Sequence, residues 1–389
     1  MSGSHAVAHT PVGGRLLTPT FLIAAALAAV GFAIIGERFT GGLGAVANIN
    51  DAYPWGIWVT IDVVVGTAFG CAGYALALVV YILNRGEYHP LVRPALMASL
   101  FGYGLGGMAV IIDLGRYWQF YNMFLPDLIN PNSIMLEVGL CVATYTLVLA
   151  IEFLPAVLER FGMHNARAAL SKVLFVFIAL GVLLPTMHQS SLGTMLVIVG
   201  QRLSPLWQSQ LLPVLFLISA LLMGFGLVIF ESLLSSAGLR RPLETPLLAK
   251  LSGLMVALLV VFVGLRLVDL LARGAFSHAF AGDLRATVFW IEIALHLLPL
   301  ALLANPASRR NPQTLFIAAL VLLAAGILYR INAYLVGYIP ATPGWVYFPS
   351  VKEILVTVGI FAFEVALYLL CVRWLPVLPT HGQAPAKRA

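Results

Sequence analysis

The sequence predicts an all-α integral membrane protein of about ten transmembrane helices. Hydrophobic residues fill 61% of the 389 positions and only 10% are Asp, Glu, Lys or Arg, whereas soluble domains carry about a quarter charged residues. The apolar residues fall into ten runs, each long enough to cross a hydrocarbon core of about 30 Å. A water-soluble fold could not bury this much apolar surface. The basic residues are scattered rather than clustered, which argues against a nucleic-acid partner.

The predicted spans are separated by short loops. They lie near residues 18–36, 55–83, 91–112, 134–158, 170–200, 210–235, 247–272, 284–304, 312–336 and 350–374. No low-complexity tract or long linker interrupts them, so we expect one polytopic membrane domain over residues 1–389. The first run, which follows Arg15, has some features of a signal peptide, but its charge pattern and the nine later spans favour a retained anchor.

Basic residues are unevenly shared between the two sides of the predicted membrane. When loops are assigned alternately, fourteen Lys and Arg fall on the side of the N-terminus and seven on the other, and Arg266 lies inside a span. Because basic loops stay in the cytoplasm, both termini are predicted to be cytoplasmic. The opposite side is richer in acids and has longer loops, around Trp55, Trp118 and Trp345, so an extracytoplasmic partner is expected to dock there.

The two halves of the chain resemble each other. Met135-Leu-Glu-Val-Gly-Leu in the fourth span matches Trp290-Ile-Glu-Ile-Ala-Leu in the eighth, and Pro54-Trp55 and Pro205-Leu-Trp207 open the second and sixth spans. We therefore predict two repeated four-helix bundles, about 55–200 (helices 2–5) and about 205–337 (helices 6–9), with flanking helices at about 18–36 and 350–374. Transporters also contain parallel repeats, so the repeat alone does not indicate which function the protein has.

Seven ionisable side chains lie inside the predicted spans, where each costs roughly 2.5–3.5 kcal/mol on insertion scales. They are Asp62, Glu137, Glu152, Glu231, Arg266, Glu292 and Glu364. Six acids and one base cannot all be paired, which favours proton handling. One face of the fourth span carries Glu137, Cys141, Thr144, Tyr145, Val148 and Glu152. We interpret that face as a proton path, with Glu292 and Glu364 as further proton-transfer residues; the alternative is a set of interhelical hydrogen bonds.

The fifth span contains the most informative stretch, Leu183-Leu-Pro-Thr-Met-His-Gln-Ser-Ser-Leu-Gly193. Pro185 cannot donate to the carbonyl of Gly181, so the helix is expected to bend there. The polar residues that follow predict a polar pocket. A quinone needs donors to its two carbonyl oxygens and nearby proton sources, which imidazole and carboxyl groups supply. His188 with Asp62, and with Asp113 or Glu137, would meet that need; the alternative is a histidine satisfied by a neighbouring helix.

The sequence offers few metal ligands within the spans. His188 and His296 are the only histidines there, so the case for haem rests on a single pair. His296 lies one helical turn after Glu292, which favours a local hydrogen bond. The three cysteines show no C-x-x-C spacing, so neither an iron–sulfur cluster nor a thiolate metal site is expected in this chain.

Several stretches resemble the NrfD/polysulfide-reductase membrane-subunit family, most of all the HybB-type (so-called cytochrome b) membrane subunits of periplasmic nickel–iron hydrogenases. The matching segments are Tyr53-Pro-Trp-Gly-Ile-Trp58 with Asp62, Tyr88-His-Pro-Leu-Val-Arg-Pro-Ala95, Asp113-Leu-Gly-Arg-Tyr-Trp118, Leu184-Pro-Thr-Met-His-Gln-Ser-Ser191, Pro205-Leu-Trp-Gln208 and Ala279-Phe-Ala-Gly-Asp283. They cover most of the chain.

The resemblance implies a haem-free subunit in the bacterial inner membrane that reduces menaquinone or ubiquinone. Its implied partners are a periplasmic ferredoxin-like iron–sulfur subunit and the large and small subunits of a nickel–iron hydrogenase, which hold the hydrogen-activating site. The family's quinone site carries over to Trp55, Asp62, Asp113, Arg116, Glu137 and His188. The rival interpretations are a secondary transporter and a haem-b-containing anchor of another oxidoreductase.

Overall fold

The computed structural model describes residues 9–342 and 344–379. In this part of the chain ten helices are long and apolar enough to cross a membrane, and no β-strand forms. They are α1 (Pro19–Gly41), α2 (Trp58–Ile82), α3 (Gly86–Asp113), α4 (Ile134–Arg160), α5 (Leu174–Arg202), α6 (Leu212–Gly238), α7 (Thr245–Ala272), α8 (Leu284–Ala304), α9 (Pro312–Val336) and α10 (Val351–Trp374). The predicted all-α, ten-span class is confirmed. Lys387 and Arg388, two of the charges assigned to the predicted cytoplasmic side, lie outside the described residues.

The first and last helices form a pair. α1 packs along α10, and α10 also contacts α2 and α3. The backbones of Gly31 and Gly359 touch: a Cβ on Gly31 would lie 2.8 Å from the Cα of Gly359. Small residues at such a crossing let the helices approach closely, which drives association where lipid gives no hydrophobic force.

Helix α2 is the most deeply buried of the ten described spans. Helices α2 to α5 pack in chain order, as do α6 to α9, and α2 also contacts α6 and α9. In the most apolar part of α2, 89% of the residues are buried. The residues Trp58–Val65 at its start form wider π-helical turns, a conformation frequent at functional sites. The division into two repeated units remains a prediction.

Two arginines counted as loop charges are buried instead. Arg38 is 1% exposed and Arg330 is not exposed at all, because α1 and α9 continue past them. Their assignment to the loops opposite the N-terminus was wrong. When these two arginines are left out of the count, the side of the N-terminus is still more enriched in basic residues than the other side. The charge distribution therefore still predicts cytoplasmic termini.

Candidate functional site

Helix α5 continues through Pro185 and turns its polar residues toward its neighbours. Thr186 Oγ1 lies 2.7 Å from the Tyr74 hydroxyl on α2. Ser191 Oγ donates to Glu137 Oε1 on α4 across 2.7 Å. Ser190 instead donates to the carbonyl of its own helix at Thr186. Most of the predicted polar pocket is therefore a hydrogen-bonded network between helices.

Among the polar residues of α5 that are described, His188 has a buried side-chain atom without a hydrogen-bond partner. Its side chain is fully buried, and its Nε2 lies 3.2 Å from Thr67 Oγ1 on α2. The ring also meets Tyr103 edge-on, with 5.4 Å between centroids. Its Nδ1 has no hydrogen-bond partner among the described residues. Because a buried polar nitrogen without a partner is costly, this atom is the natural contact for a ligand.

Gln189, next to His188, connects Thr67 to a buried arginine. Its Nε2 lies 3.2 Å from Thr67 Oγ1, and its Oε1 accepts from Arg330 Nη2 across 3.0 Å. Arg330 also reaches the carbonyl of Val64 at 2.9 Å and Ser219 Oγ at 3.1 Å. It forms no ion pair with any described residue.

Sequence reasoning missed Arg330 as a site residue. The available signal was an arginine inside an apolar span, where a charge usually marks function. It was instead counted with the loop charges.

Of the six predicted quinone-binding residues, Glu137 is bonded to the same stretch of α5 that carries His188. It accepts from Ser191, one helical turn from His188, and makes no hydrogen bond with His188 itself. Asp62 faces a different helix: its Oδ2 accepts from Thr357 of α10 across 2.8 Å, and its Oδ1 is buried without a partner. Thr67 and Asp62 thus lie on the same helix but form hydrogen bonds with different helices, α5 and α10. Direct contacts do not join Asp62 to His188.

The other three predicted quinone-binding residues lie apart from His188. Trp55 is buried against Tyr334 of α9 and donates from Nε1 to its carbonyl across 2.6 Å. Asp113 ends α3, where the guanidinium of Arg38 binds the neighbouring carbonyl of Ile112 at 2.7 Å. Arg116 is exposed and has no ion pair among the described residues. The predicted set is therefore distributed over separate contacts rather than one cluster.

The predicted proton-path face of α4 is turned inward. Cys141, Tyr145 and Val148 are buried, and Tyr145 meets Tyr103 edge-on at 4.5 Å. Thr144 is exposed, so its inclusion on this face was wrong: it lies a third of a turn away from its neighbour Tyr145.

Glu152, at the other end of that face, rests against α5. Its Oε1 is buried and has no hydrogen-bond partner among the described residues. The Glu152 carboxyl group fills the space beside Gly181, where a Cβ would collide with it. The Gly181 carbonyl also lacks its usual helical donor, because Pro185 has no N–H. A carboxyl group in such a setting is suited to holding a proton.

Glu292 has a different environment. It pairs with Arg266 at 3.2 Å, and both side chains are at most 1% exposed. Trp207 Nε1 and Asn332 Nδ2 also donate to it, at 2.8 and 2.9 Å. His296 Nδ1 lies 2.8 Å from the Glu292 carbonyl, which is the local bond expected from their spacing. This geometry favours the interhelical alternative for Glu292 over proton transfer.

Glu364 makes no hydrogen bond or ion pair with a described residue. By helical spacing it shares a face of α10 with Thr357 and Tyr368. The Tyr368 hydroxyl donates to Glu231 of α6. Beside Glu231 lies a cavity of about 20 Å³, enough for about one water. Protonatable groups therefore also follow α10, in addition to α4.

Comparison with known proteins identifies the relatives of this chain. Residues 45–340 match the family described as polysulphide reductase, NrfD. The chain is 44% identical over 376 residues, covering 96% of each protein, to the probable Ni/Fe-hydrogenase 2 b-type cytochrome subunit of Escherichia coli (strain K12). It is 27% identical over 387 residues (89% of this chain and 88% of the relative) to the menaquinone reductase integral membrane subunit of Nitratidesulfovibrio vulgaris. The expected family resemblance is confirmed.

The expectation that no haem is bound is contradicted by this comparison, because the E. coli relative is named a b-type cytochrome subunit. The described in-span histidines, however, do not form a facing pair of axial ligands. His188 contacts Thr67 and Tyr103, whereas His296 packs against Phe262 at 4.9 Å in another cluster. Their helices, α5 and α8, are not packed side by side. This arrangement does not fit a bis-histidine haem.

Proposed function

Since the chain belongs to the polysulphide reductase NrfD family, we propose that it is the quinone-reactive membrane subunit of an oxidoreductase complex. Electrons pass from a periplasmic iron–sulfur subunit to menaquinone or ubiquinone bound in the membrane. The name of the E. coli relative supports a nickel–iron hydrogenase as the catalytic partner. The name of the N. vulgaris relative supports menaquinone as the acceptor.

The observation that carries this proposal is the buried, unpartnered Nδ1 of His188. Reducing a quinone to a quinol adds two electrons and two protons. An imidazole N–H aimed at a quinone carbonyl polarises that oxygen and then delivers a proton to it. The tautomer of His188 therefore decides whether its free nitrogen can act, since Nδ1 must carry the proton to donate.

The neighbouring hydrogen bonds select that tautomer. Arg330 has only donors, so it orients the amide of Gln189 with Oε1 toward itself and Nε2 toward Thr67. Thr67 Oγ1 accepts from that amide, and its own proton is left to donate to His188 Nε2. His188 then carries its proton on Nδ1. The chain of donors runs from Arg330 through Gln189 and Thr67 to the imidazole.

In this proposal Glu137, which is bonded to Ser191 one helical turn from His188, is the carboxyl group that supplies replacement protons. Along the inward face of α4, Tyr145 and then Glu152 continue the series toward the opposite membrane surface. Protons taken up through Glu152 would make turnover move charge across the membrane. Protons taken up on the side of Glu137 would not.

The test is a comparison of two histidine variants in the intact complex. His188→Gln keeps a polar side chain but loses the proton donor, and we expect at least about a 100-fold loss of hydrogen-dependent quinone reduction. Hydrogen-dependent reduction of a soluble dye, which bypasses the membrane subunit, should remain. His296→Gln, the other buried in-span histidine, is the matched control. Full quinone reduction by the His188 variant would disprove the proposed location.

A further inference from the structure

A cavity opens between the ends of α2, α3 and α7, on the face of the bundle where α1 begins. Its volume is about 500 Å³, within the roughly 300–1,000 Å³ of small-molecule pockets. It is lined by Leu83, Arg85, Glu87, Tyr88, Lys250, Gly253 and Leu254. None of these residues belongs to the quinone network or to the proton-transfer series described above.

The charges around this cavity are unbalanced. Lys250 and Glu87 neutralise each other in an ion pair. Arg85 is exposed and makes no side-chain hydrogen bond or ion pair with a described residue. Arg309, from the loop between α8 and α9, comes within 3.1 Å of where a Cβ on Gly253 would lie. Its Nε donates to the Leu303 carbonyl at 2.6 Å, a neutral partner that leaves its charge uncompensated. The cavity therefore favours an anion.

The cavity is bordered by a surface that faces the membrane. At the adjoining end of α2, Tyr81, Ile82 and Leu83 are 42%, 65% and 56% exposed. Apolar side chains with that exposure at the end of a span are suited to hydrocarbon contact.

We propose that this cavity binds the phosphate of an anionic phospholipid, with its acyl chains along the exposed end of α2. Basic pockets between transmembrane helices on the basic side of a membrane protein recognise such headgroups. Arg85 in the lining supplies the charge. Arg309 lies just outside the lining and adds to that charge where it reaches Gly253. The Lys250–Glu87 pair forms one wall. The adjacent apolar surface favours a lipid over free phosphate, which would gain nothing from Ile82 and Leu83.

The test measures phosphatidylglycerol bound to the delipidated full-length protein by native mass spectrometry, with phosphatidylcholine as the neutral competitor. Arg85→Gln should lower the affinity for phosphatidylglycerol about fivefold, the factor expected for one surface cation. Arg85→Gln combined with Arg309→Gln should lower it further. Neither Arg309 nor Arg310 belongs to the cavity lining, but Arg309 reaches the lining residue Gly253. The matched control is therefore Arg310→Gln, which removes the same charge one residue away from Arg309.

Three outcomes would overturn the proposal. The double variant could bind phosphatidylglycerol as tightly as the wild type, or Arg310→Gln could weaken binding equally, which would indicate only general charge attraction. Displacement of the lipid by millimolar inorganic phosphate would assign the cavity to the free anion. If loss of the Arg309 contact to α8 prevents folding, Arg85→Gln alone still decides, because Arg85 makes no side-chain hydrogen bond in the described structure.

Discussion

Replacing Arg330 by methionine tests the proposed chain of donors. Methionine keeps much of the volume but removes every donor, so Gln189 Oε1, the Val64 carbonyl and Ser219 Oγ each lose a partner within 3.1 Å. Each buried acceptor left unsatisfied costs about 1–3 kcal/mol. The variant also no longer has to bury a guanidinium, which costs several kcal/mol. These opposing terms should leave stability little changed, so the main effect falls on the orientation of Gln189.

Without Arg330 the Gln189 amide can turn over and present Oε1 to Thr67. Thr67 would then donate to Gln189, and His188 would move its proton to Nε2. A hydrogen bond of about 1.4 kcal/mol selects one of two arrangements by about tenfold. Losing that selection leaves the two amide orientations about equally populated, so the share of His188 with Nδ1–H should fall from about nine-tenths to about half. Quinone reduction should therefore fall about twofold while dye reduction continues.

The tautomer of His188 can be observed directly. In the reconstituted protein with ¹⁵N-labelled histidine, solid-state NMR distinguishes protonated Nδ1 from protonated Nε2. We expect a proton on Nδ1 in the wild type and a roughly equal mixture of Nδ1–H and Nε2–H in Arg330→Met. Gln189→Glu should move the proton to Nε2 more completely, because a carboxylate accepts from both Arg330 and Thr67 and so captures the Thr67 proton. An unaltered Nδ1–H signal together with normal quinone reduction in both variants would refute this chain of reasoning.

Three further predictions concern other parts of the molecule. Glu152→Gln should abolish proton uptake from the predicted cytoplasmic side in proteoliposomes without stopping hydrogen-dependent dye reduction; unchanged uptake would discard that path. Arg266→Met should destabilise the protein by about 3–5 kcal/mol, seen as a lower thermal unfolding midpoint in detergent, because it leaves Glu292 buried without its cation; adding Glu292→Leu should recover much of the loss, and no recovery would argue against the pair. Burial, together with the hydrogen bond to Glu353, raises the pKa of Tyr347 above its usual range. Its contribution to stability is therefore present below about pH 10 and is lost as the pH rises beyond that value. Tyr347→Phe should show a smaller loss of thermal stability above about pH 10 than the wild type, and equal losses would contradict that cause.

The site was only partly predictable, because sequence spacing locates residues along a helix but not between helices. His188 and Glu137 could be nominated from residue type, and the structure places Glu137 against Ser191, one helical turn from His188. Asp62 could be nominated in the same way, yet it faces Thr357, almost three hundred residues later in the chain. Glu292 was nominated for proton transfer, and its burial was expected. Its ion pair with Arg266 was not, because residue spacing along one helix does not show which side of another helix faces it.

The sequence by itself determined that this chain is a ten-span membrane protein, because crossing hydrocarbon requires long apolar helices and their length and hydropathy are local properties. It also determined the family, through segments long enough to be specific. Only the tertiary structure decided which buried groups are neutralised and which remain unused. That choice depends on contacts between distant helices, such as Arg330 of α9 with Gln189 of α5. Hydrogen bonding acts over about 3 Å, and no pattern along a single helix specifies the distances to its neighbours.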